Sequence, residues 1–290
     1  MQVSALGQLP PGSVFAGDFR IVRRLGEGGM GALYVAEQIS TGRERALKLM
    51  HPTLVGSPAL RDKFTLEARV GGRIASEHVV EVVAAGVDAE AGVPWLAMEL
   101  LAGEDLAQTV QRRGPLPPAE VALILGEVAH ALGAAHRAGI VHRDLKPENV
   151  FLARSRRAAE SFTVKVLDFG IAKVVEEARG ANTGALGSPL WMAPEQTERD
   201  AEITPGTDVW AMGLLAYAML TGRPFWLAAS PETGSLAAFM RELVIEPIPT
   251  ASSRALEQGV GGLVPPWFDA WFAGCLARDR AARFSDATAA

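Results

Sequence analysis

The sequence predicts an α+β fold of two lobes, in which a small antiparallel sheet lobe with one helix precedes a larger, mainly helical lobe. Before residue 101 the apolar residues fall in short runs separated by Gly, Ser or Thr-Gly turns, which is typical of strands. Beyond that point they recur at helical spacing. We expect an N-terminal extension at 1–18, the small lobe at 19–101 and the helical lobe at 102–290, its last helix truncated.

The predicted elements follow from this change of pattern. The strands are expected at Phe19–Leu25, Ala32–Gln38, Glu44–Met50, Val79–Asp88 and Pro94–Leu100, interrupted by one helix at about Pro58–Ala75. Helices of the second lobe are expected at Leu116–Gly139, Thr207–Leu220, near Leu236–Val244 and at Trp267–Ala277. The first of these has Pro near its start and Gly at its end, which are helix boundary signals. A hinge is expected near Glu99–Gly103.

Composition excludes several classes of protein. The chain has 290 residues, is 49% hydrophobic and 21% charged, and carries a net charge of -5, so we expect a globular domain that binds no nucleic acid. Its single cysteine, Cys275, rules out an internal disulfide and fits a reducing compartment. The apolar run Val209–Leu220 is too short for a bilayer, which needs about 20 residues. We therefore expect a cytoplasmic domain without membrane contact of its own.

One short loop concentrates unlike polar groups between apolar runs. The stretch "GIVHRDLKPENVFL", 139–152, places an imidazole, a guanidinium, two carboxylates, an ammonium and an amide between strand-like ends. Burying charge costs several kcal/mol per ion unless partners are supplied. The loop is therefore expected to handle a highly charged ligand.

A glycine cluster precedes the second strand. Gly26, Gly28 and Gly31 form a G-x-G-x-x-G pattern, but a strand follows them rather than the helix of a dinucleotide-binding fold. They are therefore predicted to lie in a hairpin whose backbone N–H groups can approach phosphate oxygens. Taken alone, the pattern fits an ordinary flexible turn equally well.

Four further polar residues have both an ordinary and a chemical interpretation. Lys48 on a strand and Glu67 on the interrupting helix are by themselves typical of solvated faces, but facing each other they would direct an ammonium toward phosphates. Asp168 at a strand end can simply cap a turn. Together with the Asn149 amide oxygen it can also bind Mg²⁺, which prefers such hard ligands.

These pieces together resemble a protein kinase, closest to the bacterial eukaryotic-like Ser/Thr kinases. The resemblance covers roughly 19–284. Its motifs occur in the family's order: the Gly-rich loop, "RALK", a helix Glu, "HRDLKPEN", "DFG", "APE", "DVWAMG" and a late Arg at position 283. It implies a bilobal kinase fold that transfers the ATP γ-phosphate to protein Ser/Thr hydroxyls, with Mg²⁺, or alternatively Mn²⁺, as the metal ion.

The resemblance assigns roles residue by residue. Lys48 would contact the α- and β-phosphates and pair with Glu67, while Asp168 and Asn149 would hold the metal. Asp144 would accept or orient the proton of the substrate hydroxyl.

Two more residues of the charged loop have implied roles. Lys146 would steady the γ-phosphate and is typical of Ser/Thr kinases. His142 would be structural, packing beneath Phe169, and none of the five histidines has a partner at metal-ligand spacing.

The nucleotide would lie between the lobes. In the family's pattern, Met98 would be the gatekeeper, and the Glu99 carbonyl and Leu101 N–H would bond the base. The full set of implied ATP-binding residues is Leu25, Gly26, Glu27, Gly28, Gly31, Leu33, Ala46, Lys48, Met98, Glu99, Leu101, Asp105 and Phe151. Within it, Leu33 and Ala46 would cover the ring, Phe151 would lie below it, and Asp105 would reach the ribose. Met98 and Leu101 are equally compatible with a place in the core.

The resemblance also implies regulation by phosphorylation. Arg143, before the catalytic Asp, would pair with a phosphate on the activation segment, 168–195. We expect autophosphorylation at Thr183 first, because the family's equivalent of Ser188 contacts the catalytic loop. Phosphorylation in trans would involve a homodimer.

Two alternatives remain open at this stage. Gly71 and Gly72 weaken the helix that carries Glu67, at up to about 1 kcal/mol each, so the Lys48–Glu67 pair would form only in an activated state. This leaves room for a pseudokinase that binds nucleotide without transferring phosphate. A small-molecule phosphotransferase is the other alternative, which Lys146 and the "GSPLWMAPE" stretch disfavour because both resemble protein-substrate features.

Overall fold

The computed structural model describes residues 9–28, 31–51, 62, 64, 74–88, 92–155, 162–169, 189–198, 200–229 and 235–290. Contacts within the chain divide it into two compact units. Unit 1 takes its described residues from Met1–Ile74, Val80–Ala102 and Asp168–Thr183. Unit 2 takes them from Ala75–Val79, Gly103–Leu167 and Gly184–Ala290.

Unit 1 is built on a six-stranded sheet in which every neighbouring pair is antiparallel. Its strands are β1 (Val14–Phe15), β2 (Phe19–Gly28), β3 (Gly31–Gln38), β4 (Arg43–Met50), β5 (Val82–Val87) and β6 (Pro94–Glu99), in the order β1-β2-β3-β4-β6-β5. One face of the sheet is a closed apolar core that includes Phe19, Tyr34 and Leu47. Period-2 alternation along the strands places these residues on one face, and residues of the opposite face such as Val35 and Leu96 are buried as well.

Unit 2 is mainly helical, as the sequence predicts. Its helices are α1 (Leu106–Arg113), α2 (Pro118–Arg137), α3 (Pro205–Thr221), α4 (Leu236–Val244), α5 (Ala251–Glu257) and α6 (Phe268–Cys275). Helix α3 is the centre of the unit, because its residues from Gly206 to Thr221 are all buried. It ends at Gly222, whose φ of 68° is the left-handed conformation that closes many helices.

Helix α2 is the one helix in the described part of the chain that is long and apolar enough to cross a membrane by length and composition. That criterion is weak here, because central helices of globular units meet it as well. Ile124, Val128 and Leu132 of α2 are buried inside unit 2. Packing within unit 2 therefore accounts for the apolar residues on this face of α2, whereas Leu123 on another face is exposed.

A second, three-stranded antiparallel sheet lies in unit 2. It consists of β7 (Gly103–Asp105), β8 (Val150–Arg154) and β9 (Phe162–Val166), in that order. Strand β8 directly follows the polar part of the charged loop, and β9 precedes Asp168 in the sequence. Their pairing fixes the C-terminal end of the charged loop, where Val150 pairs with Val166.

The short segment Ala75–Val79 belongs to unit 2, although the chain on both sides of it belongs to unit 1. The Val166 N–H donates to the His78 carbonyl at 2.8 Å, and Val79 forms a parallel bridge with Val166. The His78 side chain lies 3.3 Å from the Glu127 carboxylate, and Ser76 bonds His130 at 3.0 Å. These contacts attach the segment to β9 and α2.

The structure confirms the α+β fold class and differs from the expected elements in detail. The strand expected at Val79–Asp88 is shorter, Val82–Val87, because the residues before it are engaged with unit 2. Strand β1, with two residues, is too short for a periodic pattern to reveal, and helices α1 and α5 are not among the expected elements. The helix expected at 58–75 lies mostly outside the described residues, although Asp62 and Phe64 are helical.

Candidate active site

The charged loop of unit 2, 139–152, fixes one carboxylate with two donors. Lys146 Nζ lies 2.7 Å from Asp144 Oδ2, and Asn149 Nδ2 lies 3.2 Å from the same oxygen. Asn149 Nδ2 also donates to the Asp144 backbone carbonyl at 2.7 Å, and the side chain is 5% exposed. Among the described residues both donors engage Oδ2, and Oδ1 accepts from neither. The loop therefore presents an oriented carboxylate with one oxygen directed away from its internal partners.

A buried carboxylate holds the backbone before Asp144. Asp208, 1% exposed, accepts from the His142 N–H at 2.8 Å through Oδ2 and from the Arg143 N–H at 2.9 Å through Oδ1. His136 Nε2 lies 2.8 Å from Asp208 Oδ2. Asp208 belongs to the "DVWAMG" motif, whose sequence alone carries no signal for this role. It bonds the backbone of the two residues that precede the catalytic carboxylate.

The His142 ring is part of the same framework. Its Nε2 lies 2.7 Å from the Leu167 carbonyl, and its Nδ1 accepts from the Asp144 N–H at 3.3 Å. Because a carbonyl only accepts, Nε2 carries the proton and Nδ1 is the acceptor. His142 thus links the Asp144 backbone to the end of β9, which agrees with the expected structural role.

Two non-glycine residues at this site adopt the left-handed backbone conformation. Arg143 has a φ of 68° and Asp168 a φ of 61°. For residues with a Cβ this conformation is uncommon and costs on the order of 1 kcal/mol or more, and such strain concentrates at functional sites. Arg143 directly precedes the Asp144 carboxylate, and Asp168 is itself a carboxylate that the resemblance assigns to the site. The strained backbone of Arg143 in unit 2 and of Asp168 in unit 1 thus lies at residues that the resemblance assigns to regulation and to metal binding.

In unit 1 the strand lysine and the "DFG" aspartate form an ion pair. Lys48 Nζ lies 2.6 Å from Asp168 Oδ2, and their side chains are 17% and 19% exposed. The two residues are 120 positions apart in the chain, so only the fold can bring them together. The expected partner of Lys48, Glu67, lies outside the described residues. Lys48 is thus oriented by a carboxylate that the resemblance assigns to metal binding.

One face of the unit 1 sheet carries the residues expected around the nucleotide. Leu47 and Leu49 of β4 lie in the apolar core, so Ala46 and Lys48 face the opposite side. Leu33 is the cross-strand partner of Lys48, and Met98 is the partner of Ala46, so all four share that face.

The glycine hairpin lies at the end of this sheet. Gly28 pairs with Gly31 where β2 meets β3, as the strand after the glycines predicts. Gly31 has a φ of 149°, and a Cβ on it would lie 1.9 Å from the Leu49 carbonyl oxygen. Only glycine fits that position, which brings the hairpin close against β4.

The remaining expected nucleotide residues are placed by β6 and the second sheet. Glu99 ends β6 and its N–H donates to the Glu81 carbonyl at 2.9 Å. In unit 2, Asp105 and Phe151 are cross-strand partners in β7 and β8. Asp105 also caps helix α1, because its Oδ1 accepts from the Gln108 N–H at 2.8 Å. Burial raises the pKa of the Asp105 carboxyl, with the backbone bonds opposing it.

The expected phosphosites Thr183 and Ser188 lie outside the described residues, but the chain just beyond them is anchored to unit 2. Gln196 Nε2 donates to the Arg143 carbonyl at 2.7 Å, while its Oε1 accepts from the Ala193 N–H at 3.0 Å. Sequence reasoning missed Gln196, because an amide in a loop carries no signal without the three-dimensional contact.

Each unit carries an oxygen ligand of the kind that Mg²⁺ prefers. Mg²⁺ takes few protein ligands, usually one or two carboxylate or amide oxygens besides phosphate and water. Asp168 supplies a carboxylate in unit 1, and Asn149 is held in unit 2 through its nitrogen, which leaves its amide oxygen on the other side of the group. Among the described residues no cluster of three or more His, Cys, Asp or Glu side chains could hold a metal alone.

Comparison with known families identifies the fold. The model of the protein kinase domain matches residues 19–290. The chain belongs to the protein kinase domain family. The crystal structure of the Mycobacterium tuberculosis PknI kinase domain superposes with a TM-score of 0.72 at 27% identity, covering 97% of this chain and 96% of that one.

Curated relatives of this kinase domain are bacterial. The serine/threonine-protein kinase Pkn1 of Myxococcus xanthus is 44% identical over 222 residues, which is 75% of this chain and 31% of that protein. The serine/threonine-protein kinase PknL of Mycobacterium tuberculosis is 35% identical over 273 residues, 93% of this chain and 63% of that protein. The chain thus spans from under a third to just under two thirds of the length of these relatives.

Proposed function

We propose that this kinase domain transfers the γ-phosphate of ATP to serine or threonine hydroxyls of proteins, in a bacterial signalling pathway. The observation that carries the proposal is the oriented Asp144 carboxylate, bonded by Lys146 at 2.7 Å and by Asn149 at 3.2 Å. The printed names of the bacterial relatives support the same activity. The substrate would be a protein, since Lys146 resembles Ser/Thr protein kinases in particular.

In this proposal Asp144 acts as the acceptor of the hydroxyl proton. Its Oδ2 is engaged by Lys146 and Asn149, so Oδ1 takes the hydrogen bond of the substrate hydroxyl and orients its oxygen for attack. The Lys146 ammonium stabilises negative charge on the transferred group. His142 and Asp208 hold the loop backbone in place during the reaction.

Nucleotide binding would use groups from both units. Lys48 supplies a positive charge for the α- and β-phosphates, and Asp168 with Asn149 would hold Mg²⁺. The metal, when bound, neutralises phosphate charge as the γ-phosphoryl group is transferred. The glycine hairpin would cover the phosphates; its residues are Gly26, Glu27, Gly28 and Gly31, with Leu25 before it. The face of the sheet that carries Leu33 would cover the adenine.

The proposal also includes regulation within the chain. Autophosphorylation would fall on Thr183 before Ser188, and one copy would modify another in a transient homodimer. An anionic phosphate can order a loop through an arginine, for which Arg143 is the candidate. The domain would work in the cytoplasm, whichever further segments the full-length protein has.

The test is incubation of the purified chain with ATP and Mg²⁺, followed by mass spectrometry of intact protein and of peptides. We expect phosphate on Ser or Thr in the wild type and at least a hundredfold lower rate in Asp144→Asn, with ATP affinity within about twofold. Asp200→Asn is the matched control, because Asp200 lies in an exposed turn. ATP binding without phosphate transfer would instead identify a pseudokinase.

A further inference from the structure

The 189–197 segment, which contains the two short 3-10 turns Pro189–Trp191 and Pro194–Thr197, is attached to the catalytic loop at one end. Gln196 bonds the Arg143 carbonyl at 2.7 Å, one residue before Asp144. Before that attachment, Pro189, Leu190, Trp191 and Met192 are only half-buried. Four consecutive apolar residues therefore remain accessible on a segment tied to the catalytic loop.

A single tryptophan supports this accessible part. Trp226 Nε1 donates to the Leu190 carbonyl at 3.0 Å, across 36 residues of sequence. Leu190 is in the middle of the accessible apolar run, so the bond fixes the main chain of the run rather than a side chain. The indole N–H thus bonds the accessible run 189–192, which lies away from the attachment that Gln196 forms.

Trp226 itself has no freedom to move. The side chain is 1% exposed and stacks on Trp210 with ring centroids 6.1 Å apart at 18°. Edge contacts with Phe225 at 5.0 Å and Phe239 at 6.1 Å enclose the other sides of the ring. An indole confined in this way donates its hydrogen bond from a fixed position.

The backbone that follows Trp226 is fixed by a buried ion pair. Both Glu242 carboxylate oxygens accept from the chain, Oε1 from Leu227 N–H at 3.1 Å and Oε2 from Ala228 N–H at 3.0 Å. Arg254 Nη2 lies 2.7 Å from Glu242 Oε1, and their side chains are 6% and 9% exposed. The position of the indole is therefore set by α4 and α5.

We infer that Trp226 is a positioning residue for the protein acceptor: by holding the Leu190 carbonyl it fixes the apolar run on which the substrate polypeptide lies beside the catalytic loop. This inference rests on the proposed function. It assigns to Trp226 an effect on the acceptor and none on ATP, because in the described part of the chain Trp226 contacts Leu190 and the aromatic cluster and not the residues expected to bind nucleotide or metal.

The test compares steady-state kinetics of wild type and Trp226→Phe, which keeps the aromatic stack and removes the N–H donor. The acceptor is the full-length Asp144→Asn chain, which carries the expected phosphosites and does not label itself. We expect the KM for this acceptor to rise about three- to tenfold, the loss corresponding to one hydrogen bond. The KM for ATP should stay within twofold.

Trp210→Phe is the matched control. Trp210 is the stacking partner of Trp226, it is fully buried, and its Nε1 has no hydrogen-bond partner among the described residues. The control therefore removes the same atoms from the same aromatic cluster without removing a hydrogen bond. An equal rise in acceptor KM in both variants, or an unchanged acceptor KM in Trp226→Phe, would overturn the inference.

Amide hydrogen exchange supplies a readout that does not depend on phosphate transfer. We expect faster exchange at residues 190–193 in Trp226→Phe and wild-type exchange in Trp210→Phe. If Trp226→Phe fails to fold, replacing Trp226 by benzothienylalanine keeps the bicyclic shape and exchanges the N–H for sulfur. A wild type that transfers no phosphate refutes the proposed function, whereas unchanged exchange at 190–193 refutes the positioning role.

Discussion

The buried ion pair between Glu195 and Arg283 should be the most sensitive electrostatic contact of unit 2. Arg283 Nη1 lies 2.7 Å from Glu195 Oε1 and its Nη2 lies 3.2 Å from Oε2, in a two-pronged arrangement. The Arg283 side chain has no exposed surface and Glu195 has 5%. Arg283 also donates to the carbonyls of Gly206 and Ala277 and covers the Trp210 ring.

Replacing Arg283 by Met removes the cation and retains an apolar side chain. Glu195 would then keep the Thr207 hydroxyl as a donor but lose its charge partner. Removing one member of a buried pair costs about 3 to 5 kcal/mol, because the other charge stays buried without compensation. We expect urea unfolding at pH 7, followed by far-ultraviolet circular dichroism, to show a loss of that size for Arg283→Met.

The double variant distinguishes the coupling energy between Glu195 and Arg283 from the separate effects of the two substitutions on stability. Glu195→Gln together with Arg283→Met should lose at least about 2 kcal/mol less than the sum of the single losses, since contacting residues couple. Arg20→Met is the control, because its pair with Glu37 is 48% and 36% exposed and is expected to contribute under about 1 kcal/mol. Additive single losses, or a loss below about 1 kcal/mol for Arg283→Met, would contradict the reasoning.

The pH dependence of stability has a definite sign. Burial alone would raise the pKa of the Glu195 carboxyl, but the hydrogen bonds and charge of Arg283 outweigh it and hold the pKa below its ordinary value. The stability that this provides is present above the ordinary glutamate pKa of about 4.3 and is lost as the pH falls through the lower folded value. The wild type should therefore lose stability on acidification more steeply than the Glu195→Gln variant, as measured by urea unfolding between pH 6 and pH 3.

Three further outcomes are expected. Gly31→Ala should destabilise unit 1 by at least about 2 kcal/mol in thermal or urea unfolding, because the new Cβ would meet the Leu49 carbonyl at 1.9 Å. Asp208→Ala should leave two buried loop N–H groups unpaired at about 1 to 3 kcal/mol each and lower kcat more than ATP affinity. Cys275 should resist iodoacetamide at pH 8.5 until the chain unfolds, because burial raises the pKa of its thiol.

The sequence is a good guide to elements whose pattern is long and local. Helices α2 and α3 were expected within two residues of their observed ends, because Pro and Gly stand at their boundaries and apolar residues fill them. The strands of unit 1 follow from alternation in the same way. Strand β1 has two residues and leaves no periodic signal, and the start of α1 is set by the Asp105 cap.

The residues of the candidate site likewise differ in how far the sequence predicts their contacts. Asp144, Lys146 and Asn149 are close in sequence, so the loop that holds them could be predicted from a single motif. The pairing of Lys48 with Asp168 spans 120 residues and that of Trp226 with Leu190 spans 36. Such contacts depend on how strands and helices meet, which local periodicity does not encode.

The attachment of Ala75–Val79 to β9 and α2 has a consequence for anyone who exchanges parts between related kinases. A graft that joins residues 19–101 of one chain to the remainder of another would carry His78 and Ser76 away from Glu127, His130 and the β9 backbone that receive them. The boundary between the two units therefore cannot be placed at a single position in the sequence. A working hybrid must move residues 75–79 together with their receiving surface, so five residues decide which chimaeras can fold.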